Sequence, residues 1–396
     1  MDIDPYPLTR ASALARLDTF VESAAKAYGA RRNFVDAKGV HDAVSRLSAA
    51  LRRRLISEQE AVQAVLAAHP YSAVEKFVAE VFWRTYWKGW LESHSAFWSQ
   101  FQQEIEDEKE RLEGSPAVFA RYQKAIAGAT QIEAFDHWID ELKRTGYLHN
   151  WARMQVASIW TFTLGLPWQL GADWMFSHLI DADPASNSLS WRWVAGRHTP
   201  GKVYLADEAK IKSMTGAALS AKGLALTASI PPPGPQQRQT ELRQPPLPHP
   251  ASPSLVLMTC DDLSLETELA FADVRGIVTS PSLAASPADR TAIQDAASRA
   301  SQHWGVPIFN ALSPKDAMAV ANAQGCTQIV LGFATIGSTA KSWTDLAPQF
   351  ADQGISLTEH QRRWDRLAWP FCSKGFFQLK TRIPGLLRDM GILALG

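Results

Sequence analysis

Apolar residues recur at helical spacing through the first half of the chain. Leu14, Leu17 and Phe20 share one helical face and Gly29 is a suitable stop, so the pattern predicts a helix over residues 8–29. Alternating, strand-like patterns are scarce before residue 200, and the first half is therefore predicted to be all-helical. The other predicted helices cover residues 42–54, 57–68, 72–91, 94–112 and 116–127.

The pattern changes class after a proline-rich segment. Proline dominates residues 230–254, and because proline at this density blocks helices and strand ladders, we predict a linker there. Beyond it, short apolar runs alternate with helical stretches, which predicts βαβ units and a parallel sheet. The predicted strands are residues 255–259, 276–280, 306–310, 328–332 and 355–359, and the predicted helices are residues 263–272, 287–304, 313–324 and 339–353.

A chain of 396 residues exceeds one typical domain, which agrees with this change of pattern. The predicted fold class is α + α/β. An all-helical domain is expected over residues 1–222, a linker over residues 223–253, and a doubly wound parallel α/β domain over residues 254–396.

The composition is that of a soluble globular protein, with 46% hydrophobic and 20% charged residues. The formal net charge is zero, which argues against a globally electropositive nucleic-acid binder but leaves room for a local basic groove. The polar start and the interrupted apolar run at 156–176 predict neither a signal peptide nor a membrane span. Cys260, Cys326 and Cys372 are isolated, so we expect no metal site and a reducing cytoplasmic setting. We also expect a monomer.

Residues 145–193 combine many tryptophans with polar groups in a segment that otherwise looks like core. Buried Asp and Arg are costly unless they are paired or liganded, so a core that accepts them usually encloses something polar. The polar groups are Asn150, Arg153, Asp181, Asp183 and Asn187, and the tryptophans are Trp151, Trp160, Trp168, Trp174, Trp191 and Trp193.

Several ordered motifs resemble the flavin-binding domain of photolyases and cryptochromes. They are VSRLS at 44–48, EVFWRTYW at 80–87, TGYLHNWARM at 145–154, LPW at 166–168 and HLIDADPASNSLSWRW at 178–193. The last motif, a spaced Asp pair followed by Asn and a Trp-x-Trp, is the most specific. The resemblance implies a helical flavin-binding fold, a bound FAD and blue-light chemistry.

The resemblance also implies which residues hold FAD. VSRLS would contact the pyrophosphate, although Val44 stands where the family usually has Thr, and on its own the motif reads as an ordinary helix start. Asp181 would pair with Arg153 beside the flavin ring, and Asn187 would face the flavin N5. The implied cofactor-binding set is Ser45, Leu47, Ser48, Arg84, Arg153, Asp181, Asp183 and Asn187.

Glu80, Trp83, Arg84 and Trp87 fall on one face of a predicted helix. Without the resemblance, this face would read as an amphipathic core face. The resemblance implies that Glu80 and Trp83 face a flipped pyrimidine pair, where an aromatic ring stacks and a carboxyl group hydrogen-bonds. The implied catalytic set is Glu80, Trp83, Asn150, Met154 and Trp193.

Trp191 and Trp168 match the first two members of the family's electron-transfer chain. No tryptophan stands at the expected spacing for the third, surface member. The candidate substitutes, each more often plain core than part of a conduit, are Trp98, Trp138, Trp160 and Trp174.

The main departure from the family pattern is Trp151, which stands where enzymes that repair cyclobutane dimers typically have Arg. It either stacks on a base or indicates that the lesion is not the substrate. Arg52, Arg53 and Arg54 are expected to splay around a helix as a solvated face. The candidate DNA contacts are Trp151, Arg192, Arg197 and Lys202.

Photolyases carry an α/β antenna domain before the flavin domain, whereas the α/β pattern follows it here, so we expect a swapped domain order. GFATIGST at 332–339 has the spacing of a phosphate loop but lacks its Lys, so a plain strand-to-helix turn is favoured. A second, antenna chromophore at a sheet switch point is left open.

These expectations define two functions. The favoured one is a light-driven DNA photolyase, a lyase whose partner is DNA containing pyrimidine dimers. The alternative is a cryptochrome-like photoreceptor that signals without repair. Retention of Glu80, Trp83, Asn150 and Met154 favours repair, whereas Trp151 and the zero net charge favour signalling.

Overall fold

The computed structural model describes residues 4–198, 202–228 and 239–394, so residues 229–238 of the predicted linker lie outside the described residues. The described chain up to residue 228 is helical, as expected. In chain order its helices are α1 Arg10–Val21, α2 Lys26–Arg31, α3 Ser48–Arg52, α4 Glu58–Ala68, α5 Tyr71–Ser93, α6 Ala96–Glu113, α7 Pro116–Ala127, α8 Glu133–Thr145, α9 Asn150–Ser158, a π-helical turn Ile159–Thr163, α10 Trp168–His178, α11 Pro184–Val194 and α12 Glu208–Met214.

Local signals explain where these helices begin and end. Ser57 and Glu60 form a capping box at the start of α4, and Gly128 ends α7 with φ 75°. The helix predicted over 8–29 is broken between α1 and α2, and the one predicted over 42–54 shrinks to α3. Arg46 and Arg54 have φ 56° and 51°, left-handed conformations that exclude them from a right-handed helix.

The chain after the proline-rich segment forms a five-stranded sheet in which all neighbouring strands are parallel. The strand order β3-β2-β1-β4-β5 reverses between β1 and β4, which confirms a doubly wound α/β arrangement. The strands are β1 Ser254–Leu257, β2 Val274–Thr279, β3 Ile308–Asn310, β4 Gln328–Gly332 and β5 Ser356–His360.

The helices that accompany the sheet are mostly short. The helix expected over 263–272 is reduced to a 3₁₀ turn at Leu265–Thr267, and the one expected over 339–353 is split in two, with Pro348 in the second piece. None of the helices in the described ranges is long and apolar enough to cross a membrane. The helices are α13 Pro287–Trp304, α14 Pro314–Ala323, α15 Lys341–Thr344, α16 Ala347–Ala351, α17 Arg363–Ala368, α18 Phe376–Lys380 and α19 Ile383–Asp389, with further 3₁₀ turns at Pro281–Leu283 and Trp369–Phe371.

Side chains alternate along β1 and serve two cores. Leu255 and Leu257 belong to a cluster with Trp343 and Phe350. Val256 belongs to the cluster on the other face, which also contains residues from α1, α3 and α13. The contributors from the first part of the chain include Leu17, Leu47, Leu51 and Leu55.

The chain divides into two compact units. The sheet unit comprises residues 1–25, 45–93 and 241–396, and the helical unit comprises residues 26–44 and 94–240. Segments that precede the linker therefore group with the sheet that follows it. The domain bounds expected at residues 222 and 254 stay a prediction.

Arg53 and Arg54 are buried, 1% and 3% exposed, so the expectation of a solvated arginine face was wrong. Arg53 Nε donates to Asp289 Oδ1 at 2.8 Å, and Arg54 donates to both oxygens of Asp365 at 2.9 and 2.7 Å. Paired arginines of this kind attach the turn after α3 to the parts of the sheet unit that follow the linker.

Candidate functional site

Helix α5 carries the residues predicted to face the substrate. Glu80, Trp83 and Arg84 are partly exposed, whereas Trp87 is 7% exposed, so the first three form the accessible part of this face. The Trp83 ring stacks on the Phe376 ring, with centroids 3.8 Å apart and 16° between the planes. Phe376 lies at the start of α18, and no sequence signal predicted this contact.

Residues 45–48 form the turn that leads into α3. Leu47 is 0% exposed and lies in the core, so its predicted contact with the cofactor is restricted to its backbone. Ser45 Oγ accepts from the Leu47 N–H at 3.4 Å, and α3 begins at Ser48 without a side-chain cap. Arg46 was missed by sequence reasoning: its Nε is buried without a hydrogen-bond partner among the described residues, a state that an anionic ligand would relieve.

His149 sets the start of α9 and was also missed. Its Nδ1 accepts from the Trp151 N–H at 3.1 Å, which makes it the N-cap residue. Burial, together with His41 and Arg153, lowers the pKa of His149 to about 3, so the neutral ring keeps its lone pair for the cap. His41 Nε2 in turn lies 2.5 Å from Glu141 Oε1, and both side chains are buried.

The expected pair between Arg153 and Asp181 is present. Arg153 donates to Asp181 Oδ1 at 3.3 Å and to Oδ2 at 3.0 Å, and its Nε donates to the Leu148 carbonyl at 2.7 Å. Asp181 is 3% exposed, and a carboxylate so buried requires such a bidentate partner. On the same helix, Asn150 is exposed and Met154 is partly exposed.

The start of α11 leaves polar atoms for a ligand. Asp183, 3% exposed, caps the helix by accepting from the Ser186 N–H at 3.0 Å. Asn187 Nδ2 donates to the Ala172 carbonyl at 2.8 Å; because a carbonyl only accepts, the amide oxygen must face the other way. Within the described ranges, no residue donates to that oxygen, and the buried Ser186 Oγ has no partner.

Trp191 has a different aromatic neighbour from the one expected. It is 3% exposed and lies edge-on against Trp160, with centroids 6.1 Å apart. Gly171 makes room for it, since a Cβ there would come within 2.5 Å of Trp191 Cη2. Trp168 stacks on Phe101 instead, with centroids 5.3 Å apart.

The structure does not support Trp151 as a DNA contact. Trp151 is 5% exposed and packs edge-on against Trp138, with centroids 6.2 Å apart. A ring buried in this way has no accessible face on which a base could stack. The Trp151 ring lies in the core of the helical unit, whereas the sequence pattern predicted an accessible ring.

The other predicted DNA contacts are accessible. Arg192 is partly exposed, with its guanidinium 5.1 Å from the centre of the Phe97 ring. Arg197 and Lys202 are exposed. Trp193, predicted to face the substrate, is partly exposed and lies 5.8 Å from the Tyr204 ring.

The turn after β4 is closed by carboxylates of the sheet unit. Consecutive backbone N–H groups donate from Ala334 to Glu359 at 2.9 Å, from Thr335 to Asp261 at 3.2 Å and from Ile336 to Glu92 at 2.7 Å. Ser338 Oγ also donates to Asp261. The amides that would hold a phosphate are occupied, which favours the plain-turn interpretation of GFATIGST.

Residues 77–213 match the family model described as the FAD binding domain of DNA photolyase. This range contains the Glu80 face of α5, the Arg153–Asp181 pair and the start of α11. Residues 77–213 are therefore similar to the flavin-binding domain of the photolyase/cryptochrome family. The sequence resemblance is thus confirmed by an independent comparison.

Individual relatives agree with this family. The deoxyribodipyrimidine photo-lyase of Escherichia coli K12 is 27% identical over 207 residues, which are 51% of this chain and 42% of the relative. The deoxyribodipyrimidine photo-lyase of Agrobacterium fabrum is 32% identical over 200 residues, 46% of this chain and 37% of the relative. A cryptochrome DASH of Gloeobacter violaceus is 41% identical over 76 residues, 19% of this chain and 15% of the relative. The chain thus spans about two fifths of the length of the two photo-lyases.

The residues present fit FAD, the cofactor that the matched family model names. The ring of a flavin needs hydrogen-bonding groups inside an otherwise apolar site, and its diphosphate needs cations. The helical unit offers the Ser186 hydroxyl, which is buried without a partner among the described residues, and the Asn187 oxygen, to which none of them donates.

Proposed function

We propose that this chain is a FAD-dependent, blue-light-driven DNA photolyase, a lyase that reverses pyrimidine dimers. The observation that carries the proposal is the polar set Arg153, Asp181, Asp183 and Asn187: a buried ion pair, a helix cap and an amide oxygen without a donor. All four lie in the range that matches the FAD binding domain of DNA photolyase. Relatives named deoxyribodipyrimidine photo-lyase support repair as the activity.

In this proposal the chain's own residues bind and orient the cofactor. The hydroxyls of Ser45 and Ser48 and the guanidinium groups of Arg46 and Arg84 hold the diphosphate, while Leu47 contributes through its backbone. Asn187 accepts a hydrogen bond from a ring N–H, because Ala172 fixes its amide with the oxygen outward. Arg153, Asp181 and Asp183 border the ring. When bound, FAD supplies an electron after it absorbs blue light.

The substrate groups act by shape and hydrogen bonding. Glu80 bonds the edge of an extruded base, and the partly exposed Trp83 stacks on it. The remaining proposed substrate contacts are Asn150, Met154 and Trp193, and the proposed contacts with DNA phosphates are Arg192, Arg197 and Lys202.

The second candidate function is a cryptochrome-like photoreceptor that binds FAD but repairs nothing. Two observations favour it: Trp151 is buried where a repair enzyme would present Arg, and Phe376 covers one face of Trp83. Similarity to a cryptochrome DASH is consistent with this candidate. Both candidates bind FAD, so only a repair assay separates them.

The decisive experiment measures FAD first and repair second. The purified protein, reconstituted with excess FAD, should retain the cofactor and show flavin absorption. It should then reverse thymine dimers in blue light, on single-stranded or duplex DNA, and do nothing in the dark. Retained FAD without repair on either DNA would favour the photoreceptor candidate, and failure to retain FAD would remove both.

The first site prediction concerns Glu80. Glu80→Gln keeps the shape of the side chain but weakens a charge-assisted hydrogen bond to the base, a loss of about 1–3 kcal/mol. Repair per absorbed photon should fall, while FAD content stays normal. Glu22→Gln, at an exposed glutamate of the same unit, is the control and should repair like the wild type. Unchanged repair in Glu80→Gln would show that other groups hold the lesion.

An antenna chromophore, a cytoplasmic location and a monomeric state stay predictions from the sequence. For the antenna chromophore, the closed turn after β4 offers no unoccupied backbone amide at Ala334, Thr335 or Ile336.

A further inference from the structure

Helix α18 places two adjacent phenylalanines in contrasting environments. Phe376 lies flat on Trp83 and packs edge-on against Tyr86 at 5.6 Å. Tyr86 also holds the segment through its hydroxyl, which donates to the Lys374 carbonyl at 2.7 Å. Phe377, the next residue, is 75% exposed. The segment is therefore fixed to α5, and an exposed ring projects from it.

Cations surround this exposed ring in the chain. Lys374 and Lys380 lie three residues before and after Phe377, and both are exposed. Lys380 lies three positions after Phe377 in α18, so the two share a helix face. It also contacts Glu75 at 3.7 Å, and an exposed pair of this kind is weak enough to exchange for another anion.

The net charge of the whole C-terminal segment also favours an anionic partner. Residues 361–396 contain seven Lys or Arg residues and two Asp residues, a net charge of +5 in a chain whose total is zero. Arg362 is buried against Asp262, and Asp365 is buried against Arg54. The other six cations therefore face one exposed acid, Asp389, within the part of this segment that the structure describes. An anionic partner is therefore favoured here.

We propose that the surface formed by Lys374, Phe377 and Lys380, called the α18 surface below, binds single-stranded DNA by stacking Phe377 on an unpaired, undamaged base while the two lysines contact phosphates. An exposed aromatic ring between cations is the arrangement that binds unpaired nucleic acid without reading its sequence. The surface adjoins Trp83 through Phe376, so on the proposed function it would hold the strand that flanks the lesion. It lies outside the range 77–213 that matches the family model.

The test uses the full chain and a fluorescein-labelled oligothymidylate of about 12 nucleotides without dimers, followed by anisotropy in the dark. Phe377→Ala should weaken binding roughly five- to hundredfold, the usual effect of removing one base-stacking ring. Phe377→Trp should bind at least as well as the wild type. Lys374→Ala should lower the slope of log affinity against log salt by about 0.7.

Matched controls are available in the same unit. Leu312 is 70% exposed and Lys315 is exposed, but neither lies on α18, so Leu312→Ala and Lys315→Ala should leave affinity and salt slope unchanged. Duplex DNA of the same length should bind more weakly, and its affinity should not respond to Phe377→Ala.

Two outcomes would overturn the α18 surface: a wild type that does not bind the oligothymidylate, or equal affinities for wild type and Phe377→Ala. The proposal is separable from photolyase activity. Phe377-dependent binding in a protein that repairs nothing would leave the surface standing and remove the repair function. If the protein repairs dimers but Phe377→Ala does not change its affinity for single-stranded DNA, the repair function stands and the α18 surface is removed.

Discussion

Glu92, near the C-terminal end of α5, is a buried acid with an unusual proton affinity. It is 4% exposed and accepts from the Ile336 N–H at 2.7 Å. Burial, with Asp261 and Glu359 adding to it, raises the pKa of Glu92 from 4.5 to about 7, although the Ile336 N–H and Arg243 oppose the rise. Near neutral pH this carboxyl is therefore close to half protonated.

The sign of the pH effect follows from this raised pKa. The folded state holds the proton more tightly than the unfolded state, so the stabilisation is complete below about pH 4.5 and is lost as the pH rises through about 7. The free energy of unfolding should fall between about pH 5 and about pH 8, with about 3 kcal/mol as the upper limit for this one group. Urea unfolding at several pH values measures it.

Substitution isolates the contribution of Glu92. Glu92→Gln keeps an acceptor for the Ile336 N–H and cannot ionise, so the pH dependence over this range should become flatter. Glu113→Gln, at an exposed glutamate, is the control and should follow the wild type. If Glu92→Gln and the wild type gave parallel pH profiles, the acid would titrate near its ordinary value.

At the same scale, the site shows which residues a sequence can predict. The Arg153–Asp181 pair was predictable because complementary charges lay in ordered motifs. The Ala172 carbonyl that orients Asn187 was not, because any residue type supplies a carbonyl. Phe376 on Trp83 was not, since a contact across almost 300 positions leaves no local pattern.

At the scale of elements, the π-helical turn Ile159–Thr163 bears on how electrons would reach a bound flavin. It contains Trp160, which contacts Trp191 on one side and the partly exposed Tyr122 at 5.7 Å on another. Trp168, the predicted second member, stacks on Phe101. The ring contacts of Trp191 thus favour Trp160 as its electron donor.

We expect Trp191→Phe and Trp160→Phe each to slow the reduction of bound FAD in blue light, because Phe keeps most of the packing but is much harder to oxidise than indole. FAD content should not change. The measurement is flavin absorbance under continuous illumination with an external reductant. Trp343→Phe, at a buried ring in the core of the sheet unit, is the control. If Trp168→Phe slowed the photoreduction of FAD and Trp160→Phe did not, Trp168 would be the second member of the electron-transfer chain, as expected from the sequence.

The predicted bounds of helices were correct where capping residues set the ends of the helix. The capping box at Ser57 and the left-handed Gly128 fixed α4 and α7 close to their expected bounds. The prediction failed for 42–54, where the left-handed Arg46 and Arg54 cut the helix to α3. These conformations serve tertiary contacts, above all the buried Arg54–Asp365 pair, which apolar periodicity does not encode.

At the scale of the whole molecule, chain order and packing diverge. The sequence correctly indicated a helical part and a parallel α/β part, because periodicity changes at the proline-rich segment. It could not show that residues 1–25 and 45–93 group with the sheet. An apolar helix face looks the same whether it covers another helix or a strand.

This grouping predicts that the sheet cannot fold alone. One face of the sheet, with Val256, Ile277 and Val330, shares its core with Leu17 of α1 and Leu51 of α3. A fragment of residues 241–396 would expose that apolar face to water, at about 25 cal/mol for each Å² uncovered. We expect the fragment alone to aggregate or to bind the dye ANS and to melt without a cooperative transition. Co-expression with residues 1–93 should restore a cooperative melt, measured by circular dichroism. A fragment that melts cooperatively alone and binds no dye would instead support the independent α/β domain expected from the sequence.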